Sequence, residues 1–487
     1  MPSTDYDLLI IGSGFGGSVC ALRAADAGLR VAVLERGRRM TPAAFEEMAE
    51  GRQPLLRSRG RGGLIDWAST RGLASVAASA VGGGSHLYTA VTVPAPPEIF
   101  DRHWPEGFDY LKLVPYYDRV AEIIAPTRVP ICLPRTSVLE TAGRSLGRTV
   151  TRLPLAMDWP VDTARLAGAP ETIGLRREAI DWIRGGTVAR KRTLDTTYLA
   201  RAEAAGATIK PLHEVHLITP ARGGYQVHFR RWVGGDRFDG SLIAPKVVVA
   251  AGTLSTVRLL LECRERERTL PKISASLGER FFTNGDLGAL LIGSESQIGR
   301  DSGPPVTAWL DDWEANRLYI MESGLLPRMP RLVLAAMRAI GRGDRRRRHK
   351  GAHPWAFGVM GFDEEPGRLV LDSAGRLCRV SALRHVSPFV ETGISRLREV
   401  ADALGAVLVI LPKRLLAARP TTVHPLGGAA LADSPVKGVV DPFGRVFGCD
   451  GLYVADGSLL PTPVGRAPSM TIAALAEYIV ERLLQRC

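Results

Sequence analysis

The chain has 487 residues, 45% of them hydrophobic and 23% charged. That usage is ordinary for globular proteins and excludes disorder, collagen-like repeats and a small disulfide-stapled scaffold. Its 63 basic residues outweigh 50 acidic ones by a net +13, and 55 of the basic residues are arginine. A basic surface attracts anionic lipid or nucleic acid. Aromatics are only 6%, however, and no basic run is interleaved with them, so no nucleic-acid partner is expected.

The six cysteines stand alone at positions 20, 132, 263, 378, 449 and 487. Without a C-x-x-C pair they signal neither zinc nor a redox dithiol, no metal is expected, and buried reduced thiols are. Met1 to Asp7 carries no secretory pattern, and no uncharged apolar run reaches the ~20 residues of a membrane helix. The expectation is a soluble, cytoplasmic protein.

In chain order, residues 7–11 are an apolar run of the kind that forms a buried parallel strand. The turn Gly12-Ser-Gly-Phe-Gly-Gly17 follows, then a predicted helix from Ser18 to Ala27 with Gly28 as its C-terminal cap. A second strand over 30–34 ends at Glu35. Residues 40–80 show no clear periodicity. Residues 81–93 read as a tight glycine turn entering a strand, 110–125 as a short helix, and 130–185 as part of a cap.

A helix is predicted over 193–205. Strands follow at 207–218 and 225–233, with Gly234-Gly235-Asp236 as a hairpin turn. Residues 246–251 are another buried strand, running through Gly252 into a helix from Ser255 to Cys263. The alternation over 286–322 and 355–380 predicts an antiparallel sheet. A strand at 452–455, a loop and a helix from Ser469 to about Leu484 close the chain.

Gly12, Gly14 and Gly17 form G-x-G-x-x-G between a strand and a helix. The first glycine allows the tight turn, the second lets a pyrophosphate approach the backbone, and the third lets helix and strand pack closely. The helix N-terminus offers free N–H groups. Glu35, at the end of the next strand, is placed to accept hydrogen bonds from ribose hydroxyls, which disfavours a 2′-phosphate. The motif alone does not separate NAD from FAD.

Further motifs lie in the C-terminal third: His424-Pro-Leu-Gly-Gly428, Gly438-Val-Val-Asp-Pro-Phe-Gly-Arg-Val446, and Leu452-Tyr-Val-Ala-Asp-Gly-Ser458 before the last helix. With Val81-Gly-Gly-Gly-Ser85, Lys191-Arg-Thr-Leu-Asp-Thr-Thr-Tyr-Leu199 and Ala250-Ala-Gly-Thr253, they resemble the glucose–methanol–choline (GMC) oxidoreductases, most closely the cholesterol-oxidase-like branch. The resemblance implies an α/β fold. A Rossmann-like FAD-binding domain would be built from discontinuous segments, 1–105, 187–285 and 420–487. A substrate-binding or cap domain with a largely antiparallel sheet would take 106–186 and 286–419. It also implies FAD, held by Gly12, Gly14, Phe15, Gly16, Gly17, Glu35, Gly82, Gly83, Gly84, Ser85, Val215, Ala251, Gly252, Asp456, Gly457, Pro468 and Met470. The N-terminus of the last helix would face the flavin pyrimidine, where its dipole favours negative charge.

The implied reaction is oxidation of the CH–OH group of a lipophilic, sterol-like alcohol, with O2 or a protein carrier as electron acceptor. By the same resemblance His424 is the catalytic base, a task suited to imidazole. Glu322 matches a buried glutamate that cholesterol oxidases use in steroid binding and isomerisation. Ala467 stands where that branch has an asparagine, and it cannot hydrogen-bond through its side chain. Either Arg466 or another group replaces the asparagine, or the chain is an FAD-bound isomerase or other redox-neutral enzyme. His86 falls one residue short of the position where some family members attach FAD, so a non-covalent cofactor is expected.

Residues 327–350 combine an amphipathic pattern, Arg331, Arg338 and Arg342 flanking Leu332, Val333, Ala336 and Ile340, with a basic cluster. They read either as a solvated basic loop or as a peripheral contact with the inner face of a membrane.

Overall fold

The computed structural model describes residues 4–57, 62–168, 175–233, 236–292, 301–325, 354–381, 386–410, 413, 416 and 420–485. The basic stretch 327–350, Gly234-Gly235 of the hairpin turn and Cys487 lie outside the described residues.

Five short strands form a wholly parallel sheet in the order Thr208–Lys210, Val31–Leu34, Leu8–Ile11, Lys246–Val249 and Leu452–Val454. The three central strands are buried along their length or nearly so, which explains their continuous apolar sequences. The helix Phe15–Asp26 covers this sheet and packs on the last helix, Ser469–Leu484. Between them Arg23 donates to both oxygens of the fully buried Glu477, at 2.7 and 2.9 Å, and Tyr198 donates a third bond at 3.0 Å. A buried carboxylate is tolerated only when paired and hydrogen-bonded in this way.

The second large sheet has six strands, all antiparallel: Val407–Val409, Leu287–Ile292, Trp355–Gly361, Leu318–Leu325, Ala308–Asp312 and Val150–Arg152. Strand alternation divides its residues between two faces. Leu287, Ala289, Ile320, Phe357 and Val359 share one apolar cluster with Leu139 of the helix Pro134–Ser145 and with Ile394 and Leu397 of the helix Pro388–Ala403. Asp286, Gly288, Met321, Ser323, Gly358 and Met360 fall on the other face and line a cavity.

The expected α/β architecture with an antiparallel second sheet is present. Details differ from the sequence reading. Residues 83–86 form a 3₁₀ turn, and no strand follows. The Ser85 hydroxyl donates to the Gly82 carbonyl at 2.7 Å and accepts from the Leu194 amide at 3.0 Å, and Ala90 sits at φ 64°. A β-branch-rich run is thereby held in irregular backbone by its turn. The unassigned stretch before it holds a helix, Pro42–Ala49, and a hairpin, Ile65–Thr70 with Leu73–Ala78. The meander after residue 207 has a further strand, Asp236–Ala244. Cys132 is exposed, unlike Cys20, Cys263, Cys378 and Cys449. Among the described residues no helix is long and apolar enough to cross a membrane.

Candidate active site

A cavity of about 1660 Å³ is lined by residues of both large sheets and of the loops between them. On one side it meets Gly12, Gly14, Phe15, Gly16, Glu35, Gly83, Gly84, Val215, Ala251, Gly252, Asp456, Gly457 and Pro468. On the other it meets His424, Asp286 and the cavity face of the six-stranded sheet.

Three helices begin at this cavity, at Phe15, Thr253 and Ser469, and in none does a side chain cap the N-terminus. By contrast, Thr41, Asp109 and Ser387 cap the helices Pro42–Ala49, Tyr110–Ile124 and Pro388–Ala403. Uncapped N–H groups and three positive dipole ends suit an anionic ligand. A Cβ added at Gly14, Gly84 or Gly252 would meet no protein atom within 4 Å, so the backbone is left bare toward open space. Glu35 accepts from Ser13 N at 3.1 Å, Ser13 Oγ at 2.6 Å and Gly37 N at 2.7 Å. With about four lone-pair sites on a carboxylate, capacity remains for one ribose hydroxyl. Asp456 is buried, which pushes its carboxyl above the usual range, while donors from Ser458, Thr256 and Gly252 oppose that shift. This donor set fits FAD.

Four of the residues expected to hold the cofactor do not line the cavity. Gly17 packs inward, where a Cβ would lie 2.0 Å from the Gly12 carbonyl oxygen. Gly82, at φ 97°, donates to Ser13 Oγ at 3.1 Å. Ser85 is bonded within its turn, and Met470 is buried behind the first turn of the last helix. Such residues shape the wall without facing it.

His86 is also outside the cavity. It is 3% exposed, with its Nε2 2.8 Å from the Val81 carbonyl and 3.5 Å from Asp195. Burial pushes its imidazole toward the neutral form. Lys191, which burial pushes down to about 7, clamps the same turn by donating to the carbonyls of His86 at 2.7 Å and Tyr88 at 2.8 Å. We therefore expect acid or guanidinium to release all flavin into the filtrate. Yellow colour retained on the polypeptide would contradict this.

His424 is tied to a partner 138 residues away. Its Nδ1 lies 2.8 Å from Asp286 Oδ1, while Asp286 Oδ2 accepts from Thr422 Oγ1 at 2.8 Å, Val423 N at 2.8 Å and His424 N at 3.0 Å. The carboxylate holds both the imidazole and the loop that carries it. With Nδ1–H donated to Asp286, Nε2 is the free acceptor. Two residues earlier, Asn284 is fully buried at φ 56°. Its Oδ1 accepts from Val464 N at 3.0 Å and Gly465 N at 2.8 Å, and its Nδ2 donates to the Arg466 carbonyl at 2.9 Å. One turn thus anchors His424 and the loop bearing Ala467. Sequence reasoning missed both Asn284 and Asp286. The only local signal was the Asn-Gly-Asp turn itself.

Glu322 is not brought to this site. It lies on the helix-covered face of its strand, fully buried, beside Thr136 Oγ1 at 3.3 Å, Thr307 Oγ1, and Arg135 Nε at 3.7 Å. Burial pushes its carboxyl above the usual range against the pull of Arg135. Its neighbours Met321 and Ser323 face the cavity instead. Nor does Arg466 substitute for the missing asparagine. Its guanidinium turns to Tyr319 Oη at 3.0 Å and the Pro94 carbonyl at 3.1 Å, leaving Ala467 as the lining residue.

A Rossmann-type sheet, a bare glycine cradle and three open helix ends define a dinucleotide-binding protein, and comparison with known proteins narrows the class. Residues 411–476 match the family model described as GMC oxidoreductase, and residues 7–51 match an FAD binding domain. Cholesterol oxidase of Mycobacterium tuberculosis is 28% identical, over 97% of this chain and 90% of its own. Cholesterol oxidase of Acinetobacter baumannii is also 28% identical, over 97% and 93%. The crystal structure of pyridoxine 4-oxidase from Mesorbium loti superposes with a TM-score of 0.67 at 16% identity, covering 98% of each chain, and shares the fold. These matches support placing the chain with the FAD-dependent GMC oxidoreductases, and they imply FAD as the cofactor.

Proposed function

We propose that this enzyme oxidises the hydroxyl group of a lipophilic, sterol-like alcohol, with His424 as the base. The observation that carries the reading is the Asp286–His424 pair, 2.8 Å apart, in a cavity whose neighbouring wall is mostly apolar. Asp286 holds the Nδ1 proton and fixes the ring. Nε2 then takes the substrate hydroxyl proton as the C–H bond breaks. FAD, when bound, supplies the acceptor for the hydride. Met321 and Met360, on the cavity face of the sheet, bring apolar surface to the cavity and limit water there. Trp67 and Val423 line the cavity yet are 54% and 55% exposed, which marks an apolar mouth through which a lipophilic substrate would enter.

The redox-neutral alternative is motivated by Glu322 as a proton shuttle beside the substrate. Glu322 packs against Arg135 on the far face of its strand, so the geometry favours oxidation. The test is anaerobic addition of 3-hydroxysteroids and long-chain alcohols to the purified flavoprotein. Bleaching of the visible flavin band supports the proposal. A flavin left oxidised by the whole panel, with isomerised product in the mixture, supports the alternative. Admission of O2 or a protein carrier afterwards identifies the electron acceptor.

We also propose that the basic stretch 327–350 makes peripheral contact with anionic membrane lipid. Wild-type protein should co-sediment with anionic liposomes, and a variant with Arg345–Arg348 changed to Ser should not. Equal binding by both would remove this part of the proposal.

A further inference from the structure

Two glycines face each other across the cavity wall. Gly288 and Gly358 are direct partners on neighbouring antiparallel strands, and Met321 pairs with Gly358 from the other side. Glycine inside a strand weakens it and calls for a reason. Elsewhere in these strands and their ends the reason is packing. A Cβ at Gly285 or Gly361 would lie 2.4 Å from the Phe389 ring. No such contact accounts for the facing pair. A Cβ at Gly288 would meet nothing within 4 Å, and one at Gly358 would find only ordinary contacts, 3.7 Å from Met321 Cε and 3.9 Å from Ser323 Oγ. Neither backbone has a positive φ, so nothing in the protein demands glycine at either position.

We infer that Gly288 and Gly358 determine substrate width, by leaving a bay two strands across for a rigid, fused-ring alcohol rather than a single alkyl chain. The inference rests on reading this cavity as the substrate site and says which lipophilic alcohols it takes. Adjacent strands are about 4.8 Å apart, so bare backbone at one level on both opens a shelf wider than a methylene chain needs. The shelf's peptide groups are engaged in the ladder and offer an apolar ligand a flat, satisfied surface. Gly288 lies one pleat beyond Asp286, so a ring resting there has its edge near His424. A side chain on either glycine would fill part of the bay and narrow it toward the width of a single chain.

The test uses the holoenzyme and three variants: Gly358→Val, Gly288→Val and the milder Gly358→Ala. Flavin content and melting temperature establish that each is folded. Binding is read from the flavin visible spectrum on titration with progesterone, which cannot donate a hydride from a hydroxyl. Reduction is read anaerobically with pregnenolone and with dodecanol. Each valine variant should weaken progesterone binding and slow pregnenolone reduction by about tenfold or more, with dodecanol within about threefold of wild type. Gly358→Ala should fall between. Equal losses for both alcohols, or none, would overturn the width assignment. If no alcohol bleaches the wild-type flavin but progesterone binds and Gly358→Val prevents it, the oxidation reading fails and this inference stands. If both alcohols bleach it and the valines discriminate neither, this inference fails and the oxidation reading stands.

Discussion

Replacing His424 with alanine is expected to slow anaerobic flavin reduction by about 10³-fold, within the range attributed to a positioned acid–base group, while flavin content stays at the wild-type level. The imidazole is 21% exposed, so its removal creates no deep core cavity, and the loop keeps its backbone bonds to Asp286 Oδ2. Stopped-flow bleaching with the best alcohol of the panel measures the rate. A variant within tenfold of wild type would remove His424 as the base. Asp286→Asn separates positioning from catalysis. An amide keeps an acceptor for the loop donors but presents no negative charge to Nδ1–H, and it can present its own N–H to that nitrogen, which favours the wrong tautomer. We expect a 10- to 100-fold loss, by analogy with other tautomer-fixing carboxylates, together with a displaced pH profile. A purely structural aspartate would change stability and leave the pH profile where it was.

The second large effect separates two neighbouring glycines. A Cβ at Gly16 would sit 1.4 Å from the Ala455 carbonyl oxygen, in the seam between the first helix and the end of the strand Leu452–Val454. Both partners are backbone and cannot swing aside. Gly16→Ala should therefore cost more than about 4 kcal/mol, the range of severe core lesions, and yield little soluble protein. At Gly14 an added Cβ meets no protein atom within 4 Å, and φ is −71°, which alanine accepts. Gly14→Ala should fold with a near-normal circular dichroism melt but a much lower flavin-to-protein ratio, because the methyl occupies space the pyrophosphate needs. Full flavin content in Gly14→Ala would contradict the placement of the cofactor against this turn. A normal yield of Gly16→Ala would contradict the close seam.

The contrast between these glycines marks the boundary of what the sequence determines. The strand–turn–helix opening, the acid at the next strand end, the buried parallel strands and the final helix were all legible. Each depends on neighbours a few residues apart: apolar runs of strand length, a helix period, glycines at a fixed spacing. The antiparallel alternation of the second sheet was legible for the same reason. The family motifs located His424 and the cofactor side of the cavity from short segments alone.

What surrounds His424 was not legible, because it comes from pairing at long range. Asp286 reaches His424 across 138 positions, and Asn284 holds a loop 180 residues further on. Glu322 lies on the far face because strand parity, together with the helices that cover one side of the sheet, decides which neighbours enter the cavity. Alternation reveals that a strand has two faces, but only packing decides which is covered. Arg466 turns to Tyr319 rather than to the cavity for the same kind of reason. Gly288 and Gly358 look in sequence like two weak points in strands. The tertiary structure alone sets them opposite each other with open space above. Local stereochemistry thus wrote the glycine cradle into the sequence, whereas the opposite wall of the cavity was decided by which distant surfaces the fold brings together.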